Sequence, residues 1–323
     1  MKIVVIDDYQ NAFKTLKCFA KLNGHEVVVY TDAETDVEKI AARLKDADAV
    51  VLTQQRTYFP RALIEQLPNL RLIGQTGRAA THIDLAACTE KGIAVSAGGA
   101  GNPHATAELT WGLILSALRN LPLEVKQLKE GRWQSTLGIG VNGKILGIYA
   151  YGKIGSIVAA AGRAFGARVL CWGREGSTGR AKAAGFDTAK SREEFFAEAD
   201  ILSLHLPLNK DTRGIVARDD LARMKSTALI VNASRSGLIA KGALEEALKA
   251  GRPGMAAVDV YDVEPVLGAN HPLLKMANVT CTPHLGYVTR ESYEEYYAVL
   301  VDDIVSFAAG KPSNVLNPEA LKS

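Results

Sequence analysis

Short apolar runs alternate with segments of helical periodicity along the whole chain. Runs of this kind, rich in Val and Ile and bounded by Gly, Asp or Asn, are typical of buried strands. A strand and helix alternation favours parallel sheets joined by right-handed crossovers. In the first part of the sequence the predicted strands are residues 3–6, 27–30, 49–52, 71–75 and 93–95. This series is long enough for one complete sheet.

A second series of apolar runs predicts a second sheet. Its strands are residues 145–149, 168–171, 201–204, 229–232, 255–260 and 279–281. Between the two series, a helix should begin at Asn102, with Pro103 in the first helical position, and continue to Leu118 before Pro122 kinks or ends it. A last helix is predicted over residues 289–309. The pattern therefore predicts an α/β protein with two parallel-sheet domains, Rossmann-like or flavodoxin-like.

Composition narrows the class of protein further. The 323 residues are 47% apolar and 23% charged, and the net charge of +3 is spread without a basic block, so nucleic acid is not an expected partner. No apolar run is long enough for a signal peptide or a membrane span, which predicts a cytoplasmic protein without a membrane partner. No metal site is expected, because the cysteines lack the paired spacing of a zinc or redox motif and should stay reduced. They are Cys18, Cys88, Cys171 and Cys281.

The strand at 145–149 leads into a glycine pattern that is typical of dinucleotide binding. The pattern runs Ala150, Tyr151, Gly152, Lys153, Ile154, Gly155 and opens an apolar helix. Gly152 would let a pyrophosphate approach backbone amides at the helix N-terminus, and Gly155 would allow close packing of helix on strand. Alanine replaces the first glycine of the fingerprint, which should require only that the turn tolerate a methyl group. The sequence predicts a dinucleotide site here.

The residues that follow the next strand bear on the choice between NAD and NADP. An acidic residue normally binds the adenosine ribose hydroxyls at this point. Here Gly173 stands in its place and Arg174 follows, which removes repulsion toward a 2′-phosphate and supplies a cation, so NADP is favoured. In the alternative interpretation, Arg174 stacks on adenine or lies in solvent and NAD binds, with Glu175 restoring an acid after a shift of one residue.

Three polar residues each follow a strand of the second series: Arg235, Glu264 and His284. Polar residues at strand ends are how an open α/β sheet delivers side chains to its ligand crevice. Arginine suits a carboxylate, since its planar guanidinium stays charged and binds bidentately, and histidine suits proton exchange near neutral pH. A neighbouring carboxylate would orient the imidazole and stabilise its protonated form. Their frames are Asn232-Ala233-Ser234-Arg235-Ser236-Gly237, Asp259-Val260-Tyr261-Asp262-Val263-Glu264-Pro265 and Thr282-Pro283-His284-Leu285-Gly286.

The order and framing of these residues resemble the D-isomer-specific 2-hydroxyacid dehydrogenases, a family that includes phosphoglycerate dehydrogenases and glyoxylate/hydroxypyruvate reductases. The resemblance covers nearly the whole chain. It implies an NAD(P)-dependent oxidoreductase of small 2-oxo and 2-hydroxy acids, in which Arg235 holds the carboxylate and a His284–Glu264 pair exchanges the proton. It also implies a homodimer. Each chain would have a cleft between a discontinuous substrate domain, residues 1–100 and 287–323, and a dinucleotide-binding domain, residues 101–286.

The resemblance also implies contacts with the cofactor. Asp259 would accept the N–H bonds of the nicotinamide carboxamide, Thr106 would lie near the nicotinamide, and His205 and Pro207 would lie beside the ribose. The full set of predicted cofactor-binding residues is Thr106, Tyr151, Gly152, Lys153, Ile154, Gly155, Gly173, Arg174, His205, Pro207, Ala233, Ser234, Asp259 and Gly286.

One segment departs from the family pattern. Substrate binding should involve Thr76, Gly77 and Arg78 besides Arg235, but residues 76–84 lack the second glycine and the asparagine found in most members. Arg78 and His82 could instead face the substrate and favour a larger or more acidic one, such as a phosphorylated acid. The alternative is that they form a local loop bond or contact a dimer partner.

A different class of protein shares the same sequence features. This fold also serves as a dinucleotide-sensing binding protein that resembles a transcriptional corepressor and keeps the three polar residues. Turnover of 2-oxo acids distinguishes the two classes, since a binding protein would bind the dinucleotide without oxidising it.

Overall fold

Two compact units make up the computed structural model, which describes residues 1–78, 80–99 and 101–322. The first unit contains the described residues of Met1–Asn102 and Val288–Ser323, and the second is Pro103–Tyr287. Two predicted domain limits, residues 100 and 323, lie outside the described part of the chain.

The first unit is built on a five-stranded parallel sheet in the order β2-β1-β3-β4-β5. Each predicted strand is present, with ends shifted by at most a few residues, because Val and Ile positions buried on both faces fix where a strand can lie. The strands are β1 (Lys2–Val5), β2 (Glu26–Val29), β3 (Ala49–Leu52), β4 (Leu72–Thr76) and β5 (Ala94–Gly98).

Four helices accompany this sheet in the described residues: α1 (Val37–Leu44), α2 (Arg61–Ile64), α3 (Leu85–Glu90) and α11 (Arg290–Ala308). Thr289 caps α11 by accepting from the Ser292 N–H, so the last predicted helix is confirmed to within a residue. The strands under α11 carry glycines where its side chains pack. A Cβ on Gly98 would lie 2.4 Å from Val299 Cγ1, so this close approach requires glycine.

The second unit contains a seven-stranded parallel sheet in the order β12-β11-β10-β9-β6-β7-β8. The prediction of two parallel sheets is therefore confirmed. One strand of only two residues, β8, was not predicted, since two residues carry no periodicity. The strands are β6 (Ile145–Tyr149), β7 (Arg168–Trp172), β8 (Asp187–Thr188), β9 (Ile201–Leu204), β10 (Leu229–Asn232), β11 (Met255–Val258) and β12 (Val279–Cys281).

The helices described in this unit are α4 (Pro103–Leu118), α5 (Leu121–Lys129), α6 (Lys153–Ala164), α7 (Glu175–Ala183), α8 (Arg192–Glu198), α9 (Arg218–Arg223) and α10 (Ala243–Lys249). The prediction that Pro122 kinks or ends the first of them is wrong, because α4 already ends at Leu118. Asn120 adopts a left-handed φ of 51° and reverses the chain, and Pro122 then lies in the first turn of α5, where its missing N–H has no helical acceptor to lose. No helix in the described residues combines the length and the apolar composition of a membrane crossing.

The strand order sets the position of the functional residues. The chain moves outward from β6 through β7 to β8, then returns to the other side of β6 and continues through β9, β10, β11 and β12. Such a reversal is where open α/β sheets bind ligands, outside the carboxyl ends of the strands. The glycine pattern follows β6, and Arg235, Glu264 and His284 follow β10, β11 and β12, which are neighbours in the sheet.

Candidate active site

Glu264 and His284 form a direct hydrogen-bonded pair. His284 Nδ1 lies 2.5 Å from Glu264 Oε2, and the two side chains are only 23% and 26% exposed. The other carboxylate oxygen, Oε1, accepts the Tyr261 N–H at 2.9 Å, so both oxygens of Glu264 are held by hydrogen bonds. An ionised carboxylate can only accept, which places a proton on Nδ1 and leaves Nε2 for exchange with a ligand.

The segment that presents His284 is held by a buried acid. Asp259 is 0% exposed, and its carboxylate accepts from Thr282 Oγ1 at 2.6 Å, Leu285 N at 2.7 Å and Gly286 N at 2.9 Å. Burial raises the pKa of Asp259, while the bonds from Thr282 and the backbone amides favour its charged form. These bonds fix a loop in which His284 has a left-handed φ of 53°.

This use of Asp259 was not predicted. The sequence suggested only a contact with the nicotinamide carboxamide, which stays a prediction. Thr106 supports the same loop from α4, because its hydroxyl donates to the Gly286 carbonyl at 2.7 Å. An acid directly after a buried strand was the available signal, but its partners lie more than 20 residues away in the sequence.

Arg235 lies in a turn shaped by Asn232. The Asn232 side chain accepts the Ser234 N–H at 3.1 Å and donates to the Arg235 carbonyl at 2.9 Å. Ser234 Oγ donates to Leu206 O at 2.6 Å and ties the turn to the segment after β9. Asn232 was not assigned a function from sequence, although asparagine at a strand end is a known turn former.

The Arg235 guanidinium is available for an anion. It is exposed, and Nη1 donates to the Ser234 carbonyl at 2.7 Å. No acidic side chain in the described residues lies within ion-pair distance of it. Its remaining N–H groups can therefore bind a carboxylate bidentately.

The turn after β6 fits a dinucleotide. A Cβ on Gly152 would meet nothing within 4 Å, so the space above the turn is open, whereas a Cβ on Gly155 would lie 2.5 Å from the Ala150 carbonyl oxygen. Gly152 precedes α6 without a side-chain cap, which leaves helix amides for an anion. Lys153 and Ile154 form the first residues of that helix, and Tyr151 is buried beneath it.

The expectation that alanine at position 150 costs only space for a methyl group is wrong. Ala150 has a φ of 76°, in the left-handed region that glycine adopts freely and alanine adopts with strain. Glycine would therefore suit position 150 for its backbone conformation as well as for its small size.

The residues after β7 occupy strained and exposed positions. Gly173 has a φ of 155°, and a Cβ there would lie 3.0 Å from Ser177 Oγ, so the backbone itself favours glycine. Arg174 precedes α7 and is exposed, and its guanidinium has no partner among the described residues. Glu175 is the first residue of α7 and is also exposed.

The remaining predicted cofactor residues of the second unit lie after β9 and β10. Burial lowers the pKa of His205 to about 4, and its Nε2 has no partner among the described residues. A Cβ on Gly155 would lie 3.4 Å from the His205 ring, which puts this histidine against the dinucleotide turn. Pro207 is exposed and accepts from Thr212 Oγ1 at 2.6 Å, and Ala233 is buried.

In the first unit, the predicted substrate residues follow β4. Thr76 is buried and its hydroxyl accepts the Gln54 N–H at 2.6 Å, and Gly77 has a φ of 79°. Arg78 is exposed and unpaired within the described residues, which leaves it available to a ligand. His82 does not fit the interpretation that it faces a substrate, because it is only 5% exposed. Its ring also forms no local loop bond within the described residues, since neither nitrogen has a partner there.

The described residues contain no group of three or more His, Cys, Asp or Glu side chains arranged to hold a metal ion. All four cysteines are free thiols. Burial raises the pKa of Cys88 and of Cys171 to about 12, which keeps both thiols protonated and unreactive.

Comparisons with known proteins find similar proteins over most of the chain. Residues 111–286 match the family model for the D-isomer specific 2-hydroxyacid dehydrogenase, NAD binding domain. Over 321 residues, the chain is 36% identical to D-3-phosphoglycerate dehydrogenase of Methanocaldococcus jannaschii, which covers 98% of this chain and 59% of that protein. Over 297 residues, it is 36% identical to glyoxylate reductase of Aeropyrum pernix, which covers 88% of this chain and 87% of that protein.

A solved structure extends the comparison. The crystal structure of phosphoglycerate oxidoreductase from Vibrio cholerae O395 has 46% sequence identity and a TM-score of 0.92, and the match covers 96% of this chain and 99% of that one. The chain thus spans nearly all of this structure, but less than two thirds of the phosphoglycerate dehydrogenase of Methanocaldococcus jannaschii.

Proposed function

Since the chain belongs to the D-isomer-specific 2-hydroxyacid dehydrogenase family, we propose that it moves a hydride between a nicotinamide dinucleotide and a small 2-oxo or 2-hydroxy acid. The observation that carries this proposal is the 2.5 Å hydrogen bond between His284, which follows β12, and Glu264, which follows β11. Strand β11 lies next to β10, the strand that presents Arg235. The relatives include a glyoxylate reductase, a hydroxypyruvate reductase and phosphoglycerate dehydrogenases. Their names support a substrate of the glyoxylate, hydroxypyruvate or phosphohydroxypyruvate class.

The second unit has residues that fit the dinucleotide. The nicotinamide of the bound dinucleotide supplies or accepts the hydride. The open space at Gly152 and the uncapped start of α6 would receive the pyrophosphate, and His205 and Pro207 would lie beside the ribose. Further contacts are proposed for Thr106, Ala233, Ser234, Asp259 and Gly286.

The polar side chains would bind the substrate and transfer the proton. Arg235 would bind the carboxylate of the 2-oxo acid and polarise its carbonyl. Thr76, Gly77 and Arg78 stay proposed substrate-binding residues of the first unit. His284 would give a proton from Nε2 to the carbonyl oxygen in the reductive direction. Glu264 would hold the ring through Nδ1 and stabilise the protonated form.

Cofactor choice depends on Arg174. Its exposed, unpaired guanidinium supports NADP, and NAD is the alternative. Arg174→Ala should weaken NADPH binding much more than NADH binding, and added salt should erode the preference of the wild type, because an exposed ion pair is screened. Equal losses for the two cofactors would favour NAD. Substituting Gly173 is a poor test, since its φ of 155° would strain any other residue.

We also propose that the chain forms a homodimer through α5 and the segment that follows it. None of the residues of α5 is buried. Exposed apolar side chains on this scale mark an interaction surface. They are Leu121, Leu123, Val125, Leu128, Trp133 and Leu137, the last being 95% exposed. Leu128→Glu combined with Trp133→Glu should convert a dimer to a monomer in light scattering. A wild type that is already monomeric would contradict the proposal.

The experiment that tests the function is an assay of glyoxylate, hydroxypyruvate, pyruvate and phosphohydroxypyruvate, each with NADH and with NADPH. The proposal expects turnover of at least one pair, abolished in His284→Asn and kept in His25→Asn, a matched change in the first unit. Tight binding of a dinucleotide with no turnover of any acid would instead favour the dinucleotide-sensing protein.

A further inference from the structure

Helix α7 holds the backbone of Tyr151, in the middle of the turn after β6, from both sides. Ser177 Oγ accepts the Tyr151 N–H at 2.7 Å, and Arg180 Nη2 donates to the Tyr151 carbonyl at 3.0 Å. Residues three apart lie on one face of a helix, so Ser177 and Arg180 act on the same peptide segment together.

This support coincides with the strained point of the turn. Ala150, with its φ of 76°, directly precedes Tyr151, and Gly152, which precedes α6, directly follows it. Because alanine resists the left-handed region, the turn has less intrinsic preference for its shape than one with glycine at position 150. Hydrogen bonds from outside the turn are then needed to stabilise its conformation.

Arg180 also brings an uncompensated charge to the turn. It is exposed and forms no ion pair with any acidic side chain in the described residues. One of its five N–H groups is used on Tyr151, and the others remain available. The charge therefore adds to the positive N-terminal end of α6, where a pyrophosphate would bind.

We propose that Ser177 and Arg180 are positioning residues for the dinucleotide turn, and that Arg180 sets affinity for the pyrophosphate that NAD and NADP share. The proposal rests on the dinucleotide binding of the proposed function. It separates two arginines of the same region. Arg180, within α7, acts on both cofactors, whereas Arg174, which directly precedes α7, acts only on a 2′-phosphate.

The test uses ligands that bind without turnover. ADP-ribose and 2′-phospho-ADP-ribose are titrated calorimetrically into the wild type, Arg180→Gln, Arg174→Ala and Lys182→Gln, the last removing an exposed charge from the same helix. Arg180→Gln should weaken both ligands about tenfold, the loss expected for one charge-assisted interaction. Arg174→Ala should weaken only 2′-phospho-ADP-ribose, and Lys182→Gln should change neither by more than about twofold.

Two results would overturn the inference. Arg180→Gln could bind ADP-ribose as the wild type does, or it could lose affinity only for 2′-phospho-ADP-ribose, which would make Arg180 a 2′-phosphate residue. A wild type that binds neither ligand would overturn the proposed function itself, so the two failures are distinguishable.

A second pair of variants tests the positioning role even if Arg180→Gln folds poorly. Ser177→Ala should weaken ADP-ribose in the wild-type background and much less in the Ala150→Gly background, because glycine adopts the turn without the support of α7. The melting temperature of each variant without ligand shows whether the turn alone has changed. An equal loss of affinity in both backgrounds would contradict the positioning role.

Discussion

Two histidines that follow parallel strands in this chain have opposite surroundings. His284, after β12, is partly exposed and pairs with Glu264. Its loop is held by hydrogen bonds to the buried Asp259. His82, after β4, is buried, and both of its ring nitrogens lack a partner in the described residues. The difference teaches that a position between a strand and the next helix does not define the chemistry of a histidine. The chemistry of a histidine depends on a paired carboxylate and an accessible ring nitrogen.

The largest difference should appear on replacing each histidine by asparagine. His284→Asn should lower reductive kcat/KM by about 10² to 10⁴, the range for a positioned acid-base group, with little change in dinucleotide affinity. His82→Asn should leave kcat/KM within a few-fold of the wild type. Steady-state kinetics on the best 2-oxo acid check both, and similar losses for the two variants would erase the distinction.

Arg235→Lys comes next in size. Lysine keeps the charge but loses the bidentate geometry, and each charge-assisted hydrogen bond contributes roughly 1.5 to 3 kcal/mol. We therefore expect kcat/KM for the 2-oxo acid to fall about 10- to 100-fold while the dissociation constant of the dinucleotide hardly changes. Loss of dinucleotide affinity with normal catalysis at saturation would make Arg235 a cofactor residue.

His82 should instead reveal itself in stability against pH. Burial lowers its pKa to about 4 from the usual 6.5, so the unfolded chain binds more protons between these values and stability falls as the pH drops through that window. The effect reaches roughly 3 kcal/mol at the acidic end. Denaturant unfolding at pH 7 and pH 4.5 should show a smaller loss for His82→Asn. An unchanged loss would mean that the ring is accessible to water.

The smallest effect belongs to the strained turn. Ala150→Gly should raise the unfolding free energy of the second unit by about 1 kcal/mol, since glycine relieves the left-handed φ at some gain in chain entropy of the unfolded state. Thermal unfolding followed by tryptophan fluorescence measures it, because Trp111 and Trp172 lie in that unit. A lower melting temperature would show that the alanine methyl group contributes packing.

Much of this structure could be predicted from sequence because it depends on local patterns. Buried parallel strands such as β6 and β10 appear as short apolar runs between polar residues. The glycine pattern follows β6, and Arg235 follows β10. The family resemblance then assigns a chemistry to residues that periodicity alone leaves as strand ends.

The rest depends on contacts between distant parts of the chain. No local signal connects Asp259 to Leu285, or Arg180 to the carbonyl of Tyr151. The left-handed φ of Ala150 is likewise invisible in an alanine. His82 is a further case, since the sequence offered a substrate contact, a loop bond or a dimer contact for it, and tertiary packing buries it.

The pairing of His284 with Glu264 is tested most directly by the pH profile of reductive kcat/KM in Glu264→Gln, measured with saturating dinucleotide. Glutamine keeps the size and a hydrogen bond of the side chain but not its charge, so the protonated ring loses its stabilisation. We expect the rate at neutral pH to fall about 10-fold or more and to recover partly toward acidic pH, with unchanged dinucleotide affinity. An undiminished rate at neutral pH with an unshifted profile would contradict the pairing as the source of the proton transfer.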